Sequence, residues 1–400
     1  MDMALEGIRV VDWTQWHAGP YATCLLADLG AEVIHVENPR RPDGWRGTTT
    51  LFGVSQELPG GRNLQIEEQN RNKKGMTINL KKPSGKEILF RLVEKSDVFV
   101  TNFRAKGFEY DVLSRYNPRL IYALITGFGT QGPDSDLPAG EIIAYARGGG
   151  MLMQSPEGAP PDYSAMGLGD RAAGLYLSHA ILAALLARER LGIGQQLTVA
   201  LLSGVMNIFG QSVISPLVTG REYEPLVREK VRNPLYNFYQ CKDGRWIVLA
   251  LFQRPWTWPA FCRAIGMPEL EKNPRFDSLE KREENNEELI SLLDRVFATK
   301  TYEEWDRLFR EEEGLVFSRV NRMSDLASDP QVVANDYITQ WDHPVIGPIK
   351  FLGFPVQYSK TPCSFRTAAP EVGQHTEEIL IDLLGYSWEE IARLREEEAI

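Results

Sequence analysis

The sequence predicts an α/β fold with a parallel sheet, because strand-like and helix-like stretches alternate along its first 200 residues. The run IRVVDW at 8–13 precedes a Gly-Pro turn and YATCLLADLGA, whose apolar spacing is typical of a helix. The run EVIHVE at 32–37 predicts the next strand. A strand–helix–strand unit favours parallel pairing, since the helix returns the chain to the edge where the first strand began.

The same alternation continues through the first half of the chain. Further strands are predicted at 76–80, 97–102, 120–129 and 196–201, and helices at 83–95 and 171–189. The stretch 191–220 has no charged residue, but Gln195, Gln196 and Asn207 would be costly in lipid. We therefore expect a buried strand and a buried helix there, at a subunit interface.

The character of the sequence changes near residue 221. A charged stretch, REYEPLVREKVRNP, precedes two β-rich runs around Asp243-Gly244, a pair that predicts a hairpin. Helix-like stretches rich in Trp and Glu follow, strand-like runs return near 345–357, and helices are predicted at 374–384 and 387–397. We expect a large α/β domain at 1–200, a linker at 201–234, a smaller α+β domain at 235–330, and at 331–400 a linker and a return to the large domain.

The composition excludes several classes of protein. A chain of 400 residues with 43% hydrophobic and 24% charged residues is typical of a globular protein with a large core. Its net charge of -10 gives no overall attraction to nucleic acid or to an anionic membrane, so neither is expected as a partner. The four cysteines form no CxxC pair, which fits a reducing, cytoplasmic compartment. The start of the chain lacks the pattern of a signal peptide.

The common catalytic motifs are absent from the sequence. No GxGxxG follows the first strand, and no GxxxxGK[ST], HExxH or GxSxG pattern occurs. The five histidines are scattered, and a lone histidine is more often structural than catalytic. The sequence therefore gives no support to nucleotide-binding, metal or serine-triad chemistry.

The most unusual local feature is GLGDRAAG at 167–174, where Asp170 lies between a glycine-rich turn and a long apolar helix. The simpler interpretation is that Asp170 caps the helix, because Asp is a favoured N-cap and complements the helix dipole. The functional interpretation is that the glycines leave the carboxylate accessible to a substrate. Amides at the helix start would then stabilise an oxyanion, and the carboxylate would act as a covalent nucleophile.

Six ordered blocks of the sequence resemble those of the family III CoA-transferases, the group that includes formyl-CoA transferase and carnitine CoA-transferase. They are LEGIRVVDWTQWHAGPYATCLLADLGAEVIHVENP, NKKGMTINLKKPSGKEI, DVFVTNFR, NPRLIYALITGFGTQGP, GDRAAGLYLSHAILAALLARERLGIGQQLTVAL, and GQHTEEIL with LGYSWEEIARLREEEAI. The resemblance runs almost from end to end. It implies a Rossmann-like large domain built from both chain ends, a smaller α+β domain and an interlocked homodimer.

The resemblance also implies a reaction. Asp170 would attack the thioester of an acyl-CoA donor, pass through a mixed anhydride and become an aspartyl-CoA thioester, and a carboxylic acid acceptor would then reverse these steps. Glu141, the last residue of the PAGE run, would help to orient the site. Coenzyme A and its esters would be substrates, and neither a prosthetic group nor a metal would be needed.

The resemblance places the CoA contacts in four blocks. The residues at these contact positions are His17, Ala18, Asn38, Arg40, Ile78, Asn79, Leu80, Lys81, Asn102, Phe103, Arg104, Lys106, Pro138, Ala139 and Gly140. Two departures from the family pattern matter. First, Asn38 stands where family members commonly have Arg, so Arg40 or Arg41 would take the place of that cation. Second, the segment after Arg104 is shorter than in other members, so Lys106 would supply the cation usually found there. For each Lys or Arg, the alternative is a solvated surface charge.

Two other functions remain open on the sequence. An α-methylacyl-CoA racemase of the same fold would also keep an acid at Asp170, but it would need a catalytic His where this chain has Gly140. A non-catalytic CoA-binding subunit is the third possibility, and the retained acids argue against it. Four aromatic residues of the small domain would either line an acceptor pocket or form its core: Trp246, Phe252, Trp256 and Trp258.

Overall fold

A computed structural model describes residues 3–156, 158–164, 166–223, 226–252 and 256–400. The chain divides into two compact units. The first unit comprises 1–154, 161–223 and 333–400, and the second comprises 155–160 and 224–332. Both ends of the chain therefore contribute to the first unit, and the second unit is inserted between them.

The first unit is built on a six-stranded parallel sheet, as the alternating pattern predicts. Its strands are β1 (Arg9–Trp13), β2 (Glu32–Glu37), β3 (Lys73–Thr77), β4 (Val98–Thr101), β5 (Ile121–Thr126) and β6 (Gln195–Ala200). The strand order is β3-β2-β1-β4-β5-β6. This is the order of doubly wound dinucleotide-binding sheets, in which the direction of winding reverses between β1 and β4.

Helices cover both faces of this sheet. Those before residue 220 are α1 (Ala18–Asp28), α2 (Leu64–Asn70), α3 (Pro83–Glu94), α4 (Tyr110–Tyr116), α5 (Glu141–Arg147), α6 (Gly150–Gln154), α7 (Leu168–Leu191), α8 (Leu201–Ile208) and α9 (Gly210–Thr219). Val10 and Val11 of β1 are both fully buried but belong to different apolar cores. Successive side chains of a strand point to opposite faces, so one core lies on each side of the sheet.

The edge strand β3 lies earlier than expected, at 73–77 rather than 76–80. The sequence pattern missed its start because Lys73 and Lys74 look like solvent-exposed residues. Lys73 is in fact 2% exposed, and its ammonium is 2.9 Å from the Asp12 carboxylate. A buried lysine of this kind is tolerated because it is paired.

The Asp12 carboxylate ties together several elements of the sheet. It accepts hydrogen bonds from Thr14 and Thr23, contacts His35 Nδ1 at 3.0 Å, and pairs with Lys73. The Lys73 ammonium also donates to the Pro20 carbonyl at the start of α1. Burial alone would raise the pKa of Asp12, but Lys73 and His35 hold that pKa well below its ordinary value. The carboxylate is therefore charged, and it fixes β1, β2, β3 and α1 to one another.

The predicted linker at 201–234 contains two helices, and the first compact unit extends to Tyr223. Within the single chain α9 has no buried residue, and its burial at a subunit interface stays a prediction. Ile214, Leu217 and Val218 are 58%, 79% and 77% exposed. Among the described residues no single helix is long and apolar enough to cross a membrane, although α8 and α9, bent by 78° where they meet, together have the length and composition.

The second unit combines a small antiparallel sheet with helices. Its elements are β7 (Phe238–Gln240), β8 (Trp246–Leu249), α10 (Thr257–Ala264), α11 (Leu279–Glu284), α12 (Asn286–Phe297), α13 (Tyr302–Arg310) and β9 (Phe317–Arg319). The β7–β8 pair is the hairpin predicted around Asp243-Gly244. Trp258 is 4% exposed within the apolar core, whereas Phe252 and Trp256 are more than half exposed.

The C-terminal segment returns to the first unit. The first unit resumes at Val333, within α14 (Pro330–Ala334). It then contains the antiparallel pair β10 (Ile338–His343) and β11 (Gly347–Leu352), α15 (Thr376–Glu378) with a π-helical turn at Ile379–Leu383, and α16 (Trp388–Glu396). Ile391 and Leu394 are buried in the core that lies against α3. The large unit is thus completed by residues nearly 400 positions from its first strand.

Candidate active site

A cavity of about 710 Å³ lies at the carboxyl ends of the central strands. The segment after β1 contributes residues 15–18, the segment after β4 contributes Asn102 and Arg104, and the end of β5 contributes Thr126. In open α/β sheets, ligands bind where the winding direction reverses, outside the carboxyl ends of the strands. The strand order and the cavity therefore point to the same site.

Asp170 lines this cavity from the first turn of α7. The expectation that it is the N-cap is wrong, because the N-cap is Gly167, whose φ of 81° is in the left-handed region that favours glycine. Asp170 is the third residue of the helix. Within the described part of the chain, its carboxylate accepts no hydrogen bond, so both oxygens are available to a ligand.

Glu141, the first residue of α5, clamps the turn that carries Asp170. One carboxylate oxygen accepts the Gly169 N–H at 2.8 Å, and the other accepts the Gly167 N–H at 2.9 Å and the Tyr163 hydroxyl. A Cβ at Gly169 would lie 2.9 Å from Val205 and 3.0 Å from Glu141, so glycine is needed for this approach. The amides of Gly167 and Gly169 are therefore already occupied and are not free to bind an oxyanion.

The environment of Asp170 disfavours its charged form. Burial, together with the smaller effect of the neighbouring Glu141 carboxylate, raises the pKa of Asp170 to about 7. Near neutral pH, about half of the molecules would carry the neutral acid at this position. A carboxylate with a raised pKa is a stronger base and nucleophile once it ionises.

Two tryptophans form an apolar wall of the cavity. The Trp16 and Trp45 rings meet edge to face, with centroids 5.5 Å apart. Trp16 has a left-handed backbone with φ of 68°, and its main-chain N–H donates to the Asp43 carboxylate at 3.0 Å. A Cβ at Gly44 would lie 2.3 Å from the Trp16 ring, so this glycine makes room for the wall. The sequence patterns did not point to Trp16, Trp45 or Tyr163, and only the clustering of aromatic residues near the first turn is a local sign of this wall.

The predicted ligand contacts fall into three groups. Those that line the cavity with Asp170 and Glu141 are His17, Ala18, Asn102, Arg104, Pro138, Ala139 and Gly140. Phe103, Arg104 and Lys106 line a separate cavity of about 340 Å³ on the same unit. Asn38, Arg40, Ile78, Asn79, Leu80 and Lys81 line neither cavity.

The last group includes residues with structural contacts of their own. Ile78 is 2% exposed in an apolar core, so only its main chain could contact a ligand. The Asn79 amide donates to the Glu398 carbonyl at 3.0 Å, and Arg40 pairs with the Glu398 carboxylate. Lys81 is exposed and forms no ion pair with any described residue. Of the cations at these positions, Lys81 is therefore the one that remains available to a phosphate.

Arg104 is the one cation that lines the main cavity among the described residues, and it is engaged. It pairs with Asp136 at 2.7 Å and donates to the Gly129 carbonyl. These contacts join Arg104 to the segment that follows β5. The described residues contain no group of three or more His, Cys, Asp and Glu side chains arranged to hold a metal ion.

Comparison with known proteins gives a consistent result. Residues 5–376 match the sequence profile described as CoA-transferase family III. The chain is 35% identical to (R)-2-hydroxy-4-methylpentanoate CoA-transferase of Clostridioides difficile over the full length of both proteins. It is 32% identical to human succinyl-CoA:glutarate CoA-transferase, over 98% of this chain and 88% of that protein. The crystal structure of a CAIB/BAIF family protein from Brucella suis superimposes with a TM-score of 0.82 at 25% identity, covering 96% of this chain and all of the other.

We expect Asp170→Asn to stabilise the fold at pH 8 but not at pH 4. Because the folded pKa of about 7 lies above the unfolded value of 3.8, ionisation between these two values weakens the folded state. Asn cannot ionise, so the variant should gain on the order of 2 kcal/mol at pH 8. Urea unfolding at both pH values would measure the difference, and Asp111→Asn, an exposed acid in the first turn of α4, is the matched control. Equal gains at pH 4 and pH 8 would contradict this account.

Proposed function

The chain belongs to CoA-transferase family III and is an enzyme of that class; on that premise we propose that it transfers coenzyme A from an acyl-CoA to a carboxylic acid through an aspartyl-CoA thioester on Asp170. The observation that carries the proposal is the position of Asp170. Its carboxylate is unpaired, faces a cavity at the sheet's switch point and has a pKa near 7.

In the first half-reaction, the ionised Asp170 attacks the thioester carbonyl and expels CoA as its thiolate. The product is a mixed anhydride between the aspartyl group and the acyl group. The thiolate then attacks the aspartyl carbonyl, which releases the free donor acid and forms the aspartyl-CoA thioester. Each step exchanges one acyl bond for another, so the energy of the thioester is retained.

In the second half-reaction, the carboxylate of the acceptor acid attacks the aspartyl-CoA carbonyl. CoA thiolate leaves, and a mixed anhydride with the acceptor forms. Attack of the thiolate on the acceptor carbonyl yields the new acyl-CoA and restores the Asp170 carboxylate. The anhydrides hydrolyse easily, so the cavity must exclude water while they exist.

Glu141 would act as a positioning residue in this scheme. Its two oxygens hold the Gly167 and Gly169 amides, and therefore the turn on which Asp170 sits. Its negative charge also contributes to the raised pKa of Asp170. Position and reactivity of the nucleophile would thus depend on the same neighbouring carboxylate.

We infer that the transferred acids are apolar monocarboxylic acids. The cavity wall includes Trp16, Trp45 and Leu137, whereas its cation, Arg104, is already paired with Asp136. A second carboxylate on the substrate would enter this wall without a counter-charge, which is unfavourable. The 2-hydroxy-4-methylpentanoate of the bacterial relative fits this description better than the glutarate of the human one.

The racemase alternative has little support at the site. A two-base proton transfer needs a second base near Asp170. Among the described residues His17 is the histidine that lines the cavity, and burial, together with Arg171, lowers the pKa of His17 to about 4. An imidazole of this pKa is a weak base, and Gly140 offers no side chain at all.

We further propose that the chain forms a homodimer through a surface that includes α9. Ile214, Leu217 and Val218 form an exposed apolar patch on a helix without a buried residue. Apolar patches of this kind usually mark an interface. The interlocked form of the dimer rests on the resemblance described above.

We expect wild-type protein incubated with an apolar acyl-CoA to gain the mass of CoA less one water, as a thioester requires, on the peptide that contains Asp170. Acid quenching, intact mass spectrometry and peptide mapping would locate the adduct. Addition of 2-hydroxy-4-methylpentanoate should discharge it faster than addition of glutarate, because the cavity offers no counter-charge for a second carboxylate. Asp170→Asn should form no adduct and lose transfer, while Glu303→Gln, at an exposed acid in the first turn of α13, should retain both.

Transfer without any trapped adduct, or transfer by Asp170→Asn, would contradict the covalent route. Faster discharge by glutarate would leave the covalent route intact and overturn the proposed class of acid. Exchange of solvent deuterium into the acyl α-carbon, without transfer, would favour the racemase.

Lys81→Ala should raise KM for acyl-CoA roughly two- to fivefold with little change in kcat, because an exposed lysine that meets a phosphate contributes a modest, screened attraction. Lys82→Ala is the matched control, since the neighbouring Lys82 ammonium lies 3.5 Å from the Glu398 carboxylate. Steady-state kinetics at two salt concentrations would measure both. An unaltered KM for Lys81→Ala would remove this residue from the CoA site.

Leu217→Lys should weaken self-association, because it places a charge in the apolar patch of α9. Sedimentation velocity should give twice the 45.2 kDa chain mass for the wild type and a concentration-dependent shift toward the single chain for the variant. Leu279→Lys, at the exposed start of α11, is the control and should remain dimeric. A wild-type protein that sediments as a single chain would rule out the dimer.

A further inference from the structure

Three glutamine side chains form a row behind the cavity wall that carries His17. The Gln69 amide nitrogen is 2.9 Å from His17 Nδ1 and donates to the Gln65 carbonyl oxygen at 3.1 Å. The Gln65 nitrogen donates to the Gln56 oxygen at 2.9 Å, and the Gln56 nitrogen donates to the Val54 main-chain carbonyl at 3.0 Å. These contacts link an imidazole in the cavity to a backbone carbonyl outside it.

The direction of this row is set by its far end. The Val54 carbonyl can only accept a hydrogen bond, so Gln56 must turn its NH₂ group toward it. The Gln56 oxygen then accepts from the Gln65 nitrogen, and the Gln65 oxygen accepts from the Gln69 nitrogen. This Gln69 nitrogen is the atom that also contacts His17 Nδ1. If all three amides were reversed, the Gln56 oxygen would face the Val54 oxygen at 3.0 Å, which is repulsive. Gln69 therefore offers an N–H, and not an oxygen, to His17.

This direction determines where the imidazole carries its proton. A neutral imidazole has one N–H and one acceptor nitrogen, and Nδ1 is the acceptor here. The proton must lie on Nε2, which is buried and has no hydrogen-bond partner among the described residues. A buried N–H without an acceptor is unfavourable, so an acceptor oxygen that reached it would recover free energy.

The charges around His17 favour the neutral ring. Arg171 of α7 is the nearby cation, and its guanidinium pairs with Glu68 of α2. Tyr21 of α1 lies with its ring centroid 6.0 Å from the imidazole, and Asp170 and Glu141 line the same cavity. Burial and Arg171 together lower the pKa of His17 to about 4, so the ring is neutral at any pH at which Asp170 is ionised.

We propose that Gln69, with Gln65 and Gln56 behind it, is a positioning residue that holds His17 in the Nε2–H tautomer as a donor for an acceptor oxygen of the ligand in the cavity. The tautomer stands independently of the reaction. The role of the donor in transfer rests on the proposed function.

Replacing a glutamine of the row by glutamate changes the direction of the hydrogen bond to His17 only when the residue replaced is Gln69. In Gln69→Glu, the carboxylate can only accept, so Nδ1 must take the proton and Nε2 loses it or the ring becomes charged. In Gln65→Glu, one helical turn away, the carboxylate still accepts from Gln69, so the direction at His17 is unchanged. The two variants add the same charge to the same helix, and the second is a matched control for the first.

The protonation of Nδ1 can be read by solid-state ¹⁵N NMR of protein labelled at histidine Nδ1 alone. The resonance of His17 is assigned by its loss in His17→Gln. We expect the shift of an unprotonated nitrogen in the wild type and in Gln65→Glu, and that of a protonated nitrogen in Gln69→Glu. A protonated Nδ1 in the wild type, or no change in Gln69→Glu, would overturn the assigned tautomer. If near-UV circular dichroism shows that Gln69→Glu is misfolded, Gln69→Leu should give a signal averaged over both tautomers.

Kinetics test the role of the donor separately. Gln69→Glu should lower kcat/KM for acyl-CoA about tenfold, the loss expected for one hydrogen bond, and Gln65→Glu should lower it much less. Full activity in Gln69→Glu with a protonated Nδ1 would overturn the role in transfer while leaving the tautomer standing. If the wild type shows no CoA transfer, the proposed function would be contradicted, whatever the NMR result.

Discussion

The buried charge of Asp12 is the interaction on which the rest of the large unit depends. It lies in β1, next to the point where the winding of the sheet reverses, and it joins three strands and the first helix through hydrogen bonds and an ion pair with Lys73. Loss of one partner of such a pair leaves an uncompensated buried charge, so the network is stable only when it is complete. The Lys73 ammonium also holds the Pro20 carbonyl at the start of α1. The turn that carries His17 and Trp16 therefore leaves the sheet in a fixed direction.

A second constraint acts on the opposite side of the cavity, where two carboxylates lie close together. Glu141 uses both oxygens to hold the start of α7, and Asp170 is left unpaired beside it. Repulsion between the two acids would be relieved if either were replaced by a neutral residue. Burial is the main cause of the raised pKa of Asp170, and the charge of Glu141 adds to it. A carboxyl group whose folded pKa is raised lowers the stability of the folded state once the pH allows it to ionise.

Particular elements show where sequence reasoning succeeded and where it could not. The strand at 32–37 was placed at its observed bounds because three of its four central residues are β-branched and apolar, as expected for a strand buried on both faces. The start of β3 was missed because Lys73 is buried by a partner 61 positions away, a contact that no local pattern contains. The N-cap of α7 was misplaced because Gly167 takes a left-handed conformation that lets the helix begin before Asp170. The row of glutamines behind His17 was not anticipated, since it joins the turn after β1, helix α2 and the segment at 54–56.

The sequence by itself determined the α/β class, the family resemblance and the choice of Asp170 as the candidate catalytic residue. It could do so because the alternation of apolar runs and a glycine-flanked acid are local properties. It also determined that Gly140 supplies no second base. The tertiary structure alone decided that Asp170 and Glu141 share one cavity, that Ile78 is buried in a core, and that α9 is exposed. The physical reason is that ionisation, burial and hydrogen-bond direction depend on neighbours that are distant in the chain. The reversal of winding at the centre of the sheet brings those neighbours together.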